Sequence, residues 1–157
     1  MKKLKWILAG LVAGFVLLQL ANPARTNPPV APGHDLLTAV SAPPEIATRL
    51  RDSCYDCHSQ ETRWPWYSHI APVSWLVAGD VRDGREKLNF SEWPADQPER
   101  AAKRLGRISE ELGYQNMPPG KYTLLHPDAR LTAAQRQALI DWADAAAARL
   151  KTAATNQ

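Results

Sequence analysis

The stretch RDSCYDCHSQETRWPWYS, residues 51–68, holds both cysteines of the chain and a histidine directly behind the second. Just upstream, residues 43–54 read PPEIATRLRDSC, with proline at the start and Ile46, Leu50 and Cys54 at successive i+4 positions. This pattern predicts a short amphipathic helix that ends in the first cysteine. Because Cys54 and Cys57 are three residues apart, both thiols can lie on one face of a helical turn.

Two thiols on one face match the two vinyl groups of a haem, and His58 follows directly as a possible iron ligand. C-x-x-C-H is typical of c-type haem attachment. A zinc site usually needs a second Cys/His pair at close spacing, but the chain has no further cysteine, and His34, His69 and His126 are scattered singly. A redox dithiol expects a βαβ context, and a disulfide would close a tiny, strained loop. The sequence therefore favours haem over these three alternatives.

A second iron ligand decides the type of haem protein. Apart from the initiator, the only methionine is Met117, in YQNMPPGKYTLLHP, residues 114–127. A proline-stiffened loop can hold a thioether at fixed reach, whereas a gap-filling methionine is expected on an apolar helix face. We expect Met117 to be the ligand. His126, His69 and an open position are the alternatives.

Other residues could surround a haem. Trp64 and Trp66 could pack at its edge, although ordinary core tryptophans would look the same in the sequence. Carboxylates favour Arg and Tyr donors, so the candidates for the propionates are Arg63, Arg82, Arg85, Lys121 and Tyr122.

The N-terminus, MKKLKWILAGLVAGFVLLQLANPAR, places lysines before an uncharged apolar run of sixteen residues, Trp6 to Ala21. This run is slightly short for a membrane span and slightly long for a signal-peptide core. The cleavage signature is poor, so we expect an uncleaved anchor over residues 1–21, with a removed signal peptide or a buried helix as alternatives. Because the lysines precede the run, the body should lie on the periplasmic side of the cytoplasmic membrane, or in the periplasm after cleavage.

Residues 22–44 contain six of the 13 prolines, and a semi-extended linker is predicted over 22–43, with His34 solvated. A haem-binding domain is expected over 44–151, and a disordered tail over 152–157. Apolar residues at helical spacing predict further helices at about 72–88 and 98–112, and a last helix opened by the T-x-x-Q capping box of Thr132 and Gln135. Without an alternating strand pattern, the expected fold class is all-α, with four helices.

The net charge of +3 does not indicate a nucleic-acid partner. Four of the 19 basic residues lie in the first 25 positions, which leaves 15 basic against 16 acidic residues in the rest of the chain. The body is nearly neutral and has no basic footprint.

The chain resembles the small bacterial haem-binding domain family that is related to class I c-type cytochromes. The resemblance covers roughly residues 41–146. It rests on CYDCHSQETRWPWYSHIAPVSWLVAGDVRDGREKLNFSEW, residues 54–93, and on NMPPGKYTLLHPDARLT, residues 116–132, followed by a helix with Trp142.

This resemblance implies a cytochrome c-like helical fold wrapped around one covalently attached haem c per chain. It makes Cys54 and Cys57 the thioether positions, His58 the proximal ligand and Met117 the distal ligand. The family does not supply a redox partner.

These features predict a membrane-tethered mono-haem cytochrome that transfers single electrons through His/Met-ligated iron and is not an enzyme. Its expected partners are redox proteins of the cell envelope, with the membrane bound through the N-terminal segment. The alternatives are a haem peroxidase or a gas or redox sensor with an open or labile distal position, and a structural module.

Overall fold

The computed structural model describes residues 1–155, and the fold of this part is all-α, as predicted. Four short 3₁₀ turns accompany eight helices, and no strand occurs between residues 1 and 155. The helices are α1 (Lys2–Leu18), α2 (Leu36–Ala39), α3 (Pro44–Ser53), α4 (Tyr55–His58), α5 (Val73–Lys87), α6 (Pro98–Gly113), α7 (Gly120–Leu125) and α8 (Ala133–Thr155).

Helices α6 and α8 pack against each other and form the main core. The facing residues recur every three to four positions, so each helix presents one apolar side. On α6 they are Ala101, Ala102, Leu105, Ile108 and Leu112, and on α8 they are Leu139, Trp142, Ala143, Ala146 and Ala147. Alanines at this contact leave room for close approach, and Leu105 and Leu139 are fully buried.

The predicted capping box opens α8. Thr132 Oγ1 accepts a hydrogen bond from Gln135 N at 3.2 Å, and Gln135 Oε1 accepts one from Thr132 N at 2.9 Å. Two backbone donors that the helix leaves unpaired are thereby satisfied.

The four predicted long helices correspond to α3, α5, α6 and α8, and the structure adds short helices that the periodicity did not indicate. On α5 the predicted apolar stripe does not face the α6–α8 core. Val73 and Leu76 are exposed, while Ser74, Val81 and Gly84 are buried.

The domain begins before residue 44, which corrects the predicted boundary. Leu36, within the predicted linker, is fully buried in the core. Asp35 caps α2 by accepting a hydrogen bond from Leu37 N at 2.9 Å, and its other oxygen accepts one from the Tyr55 hydroxyl at 2.9 Å. A helix of four residues is too short to show periodicity, so no sequence pattern indicated it.

The rest of the linker also contacts the domain. Arg85 donates to Thr26 O at 3.0 Å and to Asn27 Oδ1 at 2.9 Å, and the same guanidinium donates to Ser59 O at 2.7 Å. Asn27 Nδ2 donates to Thr62 O at 2.8 Å. The linker therefore lies along the domain instead of extending freely.

Helix α8 continues to Thr155, so the predicted tail does not begin at residue 152. Ala153 and Ala154 favour helix, and Thr152 Oγ1 donates to Ala148 O at 3.1 Å. Residues 156–157 lie outside the described residues.

One helical segment of the described chain, Lys2–Ala21, is long and apolar enough to cross a membrane. Its mean hydropathy is 1.9 and none of it is buried. Length and composition alone would also suit a signal sequence.

Candidate functional site

A cavity of about 450 Å³ lies between α4, α5 and the segment 117–126. All four predicted site residues, Cys54, Cys57, His58 and Met117, line it. The apolar stripe of α5 lines the same cavity through Val73, Leu76, Val77 and Val81. That is why this stripe is turned away from the α6–α8 core.

The two cysteines are brought together by the turn from α3 into α4. Cys54 closes α3, and its carbonyl accepts hydrogen bonds from Cys57 N at 3.2 Å and His58 N at 3.0 Å. Both thiols are free of any disulfide.

Burial governs the protonation of these thiols. Burial, together with the neighbouring Cys57, raises the pKa of Cys54 to about 12. Burial, with Asp80 and Asp56 nearby, raises the pKa of Cys57 to about 11. Burial therefore favours the neutral form of both thiols over the thiolate. Within residues 1–155, no three His, Cys, Asp or Glu side chains form a group that could hold a metal ion.

His58 is fixed by the backbone of α5 and the residue that follows it. Its Nδ1 lies 3.1 Å from Gly84 O and 2.9 Å from Leu88 O. Carbonyl oxygens only accept hydrogen bonds, so Nδ1 carries the proton and Nε2 keeps a free lone pair. Burial lowers the pKa of His58, which favours the neutral ring that metals bind. Phe90 packs on the imidazole with ring centroids 5.7 Å apart.

Gly84 is a site residue that the sequence did not reveal. A Cβ at this position would lie 2.5 Å from Cys57 O and 3.0 Å from Cys57 C. Only glycine lets α5 approach the haem motif this closely while its carbonyl reaches His58. The available signal was a glycine near the end of a predicted helix, a position where it weakens the helix.

Met117 lies in the loop between α6 and α7. Arg136 on α8 donates from Nη1 to Met117 O at 2.6 Å and to Leu112 O at 3.1 Å. The guanidinium therefore ties the Met117 loop to the end of α6.

His126 also lines the cavity, but both of its ring nitrogens have partners. Nδ1 lies 3.0 Å from Tyr122 O, and Nε2 lies 3.2 Å from the Tyr67 hydroxyl. The ring stacks on Tyr122 with centroids 4.1 Å apart. The third alternative ligand, His69, is exposed and does not line the cavity.

Asp56 organises the polar side of the cavity. Its carboxylate accepts hydrogen bonds from Tyr122 Oη at 2.7 Å and from Arg63 Nε at 3.1 Å. The hydrogen bond to Asp56 raises the pKa of the Arg63 guanidinium. Burial, followed by the hydrogen bond to Asp56, raises the pKa of Tyr122. Lys121 reaches Asp80 at 2.7 Å.

Three of the five propionate candidates, Arg63, Lys121 and Tyr122, therefore line the cavity. Arg82 pairs with Asp83 instead, and Arg85 holds the linker.

The two tryptophans after the haem motif do not line the cavity, against the suggestion that they pack at a haem edge. The Trp66 side chain is 75% exposed.

The donor set of the cavity fits a haem. It combines apolar walls, two neutral thiols, a neutral imidazole with one free nitrogen, a thioether and cationic groups at the polar side. His58 would bind the iron through Nε2. Arg63 and Lys121 line the cavity, but each would have to exchange its aspartate partner for a propionate.

Comparison with known proteins agrees with this donor set. The model of the family described as "Haem-binding domain" matches residues 13–145. The chain is similar to cytochrome c peroxidase Ccp of Escherichia coli strain K12, with 27% identity over 110 residues. That match takes in 67% of this chain but only 23% of the relative, so the chain spans about a quarter of the curated relative's length. No solved structure matches significantly.

The relative is named as an enzyme, and this contradicts the prediction that the chain has no enzymatic activity. That prediction rested on the absence of a distal acid/base pair at recognisable sequence spacing. Spacing is a poor guide here, because Tyr67 meets His126 and Tyr122 at the cavity from a segment 55 or more positions away. Since the family model matches most of this chain, the chain belongs to the haem-binding domain family.

Proposed function

We propose that the chain is a haem c protein that carries single electrons. Cys54 and Cys57 would hold the haem through thioether bonds, and His58 and Met117 would ligate its iron. The observation that carries this proposal is the double hydrogen bond of His58 Nδ1 to Gly84 O and Leu88 O, which presents a neutral Nε2 inside an apolar cavity. The iron, when bound, supplies a one-electron redox couple.

The contacts of the distal side favour Met117 over His126. His126 would have to break its hydrogen bond to Tyr67 and its stacking on Tyr122 to present Nε2. Met117 has no such polar partner for its thioether to lose, and its loop is already held by Arg136.

We also propose that the domain is tethered by α1 on the periplasmic side of the cytoplasmic membrane, near redox partners of the envelope. Lys2, Lys3 and Lys5 precede the apolar helix, and such residues are retained on the cytoplasmic side. Covalent haem attachment outside the cytoplasm is consistent with this orientation.

The proposal is tested on protein from cells able to mature c-type haem. Haem should remain with the chain after denaturation and organic extraction, and it should be lost when Cys54 and Cys57 are both changed to serine. In the reduced protein, carbon monoxide should leave the spectrum unchanged, and Met117→Ala should make the iron accessible to it. His126→Ala is the matched control and should leave the iron closed. Haem that is freely extractable would refute covalent attachment. Carbon monoxide binding in His126→Ala but not in Met117→Ala would refute the Met117 ligand.

A second candidate function is peroxide reduction, in which hydrogen peroxide, two protons and two electrons supplied one at a time by a reduced partner protein give two waters. It is favoured by the similarity to a cytochrome c peroxidase and by the Tyr67–His126–Tyr122 cluster at the cavity. His126 and Tyr67 would hold or move a proton at peroxide in the cavity. Adding peroxide to the fully reduced protein tests this: rapid reoxidation that slows in His126→Ala would support it, and no reoxidation would refute it.

A further inference from the structure

The segment WPWYSHIAPVSWLVAG, residues 64–79, contains no Asp, Glu, Lys or Arg, although 22% of the chain is charged. It also holds five of the eight large apolar side chains that are exposed in residues 22–155. They are Trp66, Ile70, Val73, Trp75 and Leu76. We call these five residues the apolar face. Monomeric soluble domains rarely concentrate exposed apolar groups in this way.

The apolar face adjoins the end of the apolar helix. Gln19 forms two hydrogen bonds with Ala71: its Oε1 accepts from Ala71 N at 2.9 Å, and its Nε2 donates to Ala71 O at 3.3 Å. Trp75 Nε1 donates to Ala21 O at 2.9 Å. The last turn of the candidate anchor is therefore bonded to the very segment that carries the apolar face.

The same face forms the rim of the haem cavity. Val73 and Leu76 both line the cavity and are exposed, Leu76 by 69%. Whatever covers the apolar face therefore lies at the mouth of the cavity.

We propose that the apolar face rests in the headgroup layer of the bilayer that α1 spans, so that the mouth of the haem cavity opens at the membrane surface. This inference rests on the proposed anchoring. Trp66 and Trp75 are of the residue type that collects at membrane interfaces, and no charged side chain of residues 64–79 has to be desolvated. A bilayer is the favoured occupant because the anchor ends beside the face, whereas nothing in the fold seats a second copy there.

The test uses the full-length haem-loaded protein in phosphatidylcholine liposomes. Haem occupies Cys54 and Cys57, so an introduced cysteine is the reactive thiol, and the unsubstituted protein gives the background. A fluorophore is placed at Trp66→Cys on the apolar face, at Leu11→Cys on α1, or at Lys103→Cys on the exposed side of α6. The readout is the fluorescence in lipids brominated on the acyl chain divided by the fluorescence in plain lipids. Haem quenches the label equally in both lipids, so its effect cancels in this ratio.

The Trp66→Cys label should lose about half of its fluorescence in brominated lipid, because interfacial groups reach roughly 5–10 Å into the headgroup and acyl boundary. The Leu11→Cys label should be quenched at least as strongly, and the Lys103→Cys label should not be quenched. An unquenched Trp66→Cys label beside a quenched Leu11→Cys label would overturn the inference and leave the anchoring intact; this is also the result expected if a second copy covers the face. Loss of quenching at both positions would overturn the anchoring and the inference together.

Discussion

Replacing Gly84 with alanine should destabilise the protein, even though alanine is the better helix former. The added Cβ would meet Cys57 O at 2.5 Å, Cys57 C at 3.0 Å and Cys57 Cβ at 3.2 Å. Two of these atoms belong to the backbone of the haem motif and cannot rotate away. The collision can be relieved only if α5 moves away from α4.

The balance of two effects sets the magnitude. Alanine in a helix interior gains about 1 kcal/mol over glycine. Overpacking costs about 1–3 kcal/mol, and the rigid backbone partner places this site in the upper part of that range. The expected net loss of stability is roughly 1–2 kcal/mol. Gly79, on the same helix, is the matched control, since the nearest atom to its added Cβ is Arg82 Nη2 at 4.0 Å. Gly79→Ala should therefore stabilise the protein by up to about 1 kcal/mol.

The assay is urea unfolding of the haem-loaded full-length protein in detergent, followed by helical circular dichroism. The two variants should bracket the unsubstituted protein, with free energies of unfolding separated by about 1–3 kcal/mol, the sum of the two opposite shifts. Equal stability of Gly84→Ala and Gly79→Ala would refute the close approach of α5 to Cys57.

Three further substitutions test other parts of the fold. Leu36→Ala should lower the free energy of unfolding in urea by about 2–5 kcal/mol, as for a core leucine. The control Leu124→Ala, at an exposed position, should change it by less than about 0.5 kcal/mol. Equal effects of the two substitutions would show that Leu36 is not part of the core. Thr132→Ala should cost about 1 kcal/mol through loss of the cap on α8, and an unchanged unfolding midpoint would argue against that cap. Arg136→Ala should loosen the Met117 loop and let carbon monoxide bind the reduced iron, whereas the nearby Thr132→Ala should not. If carbon monoxide does not bind in Arg136→Ala, the hydrogen bonds of Arg136 are not needed to hold the loop.

Local sequence patterns were sufficient for the fold class, and they also picked out residues that lie together in the structure. The spacing of apolar residues on α6, and the capping pair Thr132 and Gln135, act over three to eight residues and are visible in the chain itself. The spacing of Cys54, Cys57 and His58 is equally local. All three meet at one cavity, together with Met117.

Features that depend on contacts between distant segments were not visible in the sequence. Gly84 matters because it touches Cys57, 27 positions earlier, and no periodicity encodes such an approach. Leu36 lies in a proline-rich segment that reads as a linker. Its neighbour Asp35 accepts a hydrogen bond from Tyr55, 20 positions later, and this contact is not visible in the local sequence. The stripe on α5 was recognised, but a stripe facing a cofactor cavity has the same pattern as one facing other helices.

The hydrogen bonds of Arg85 to Thr26 and Asn27 have a consequence for the proposed membrane-tethered protein and its encounters with redox partners. A free linker of 22 residues would allow excursions of roughly 25 Å from its membrane end. If α1 spans the membrane as proposed, the bonded linker removes this search volume, and the domain diffuses with its anchor as one body in the plane of the bilayer. Encounters are then two-dimensional: a partner in the same membrane meets the haem at a constant height, and a partner from the aqueous phase must come to the membrane to reach it.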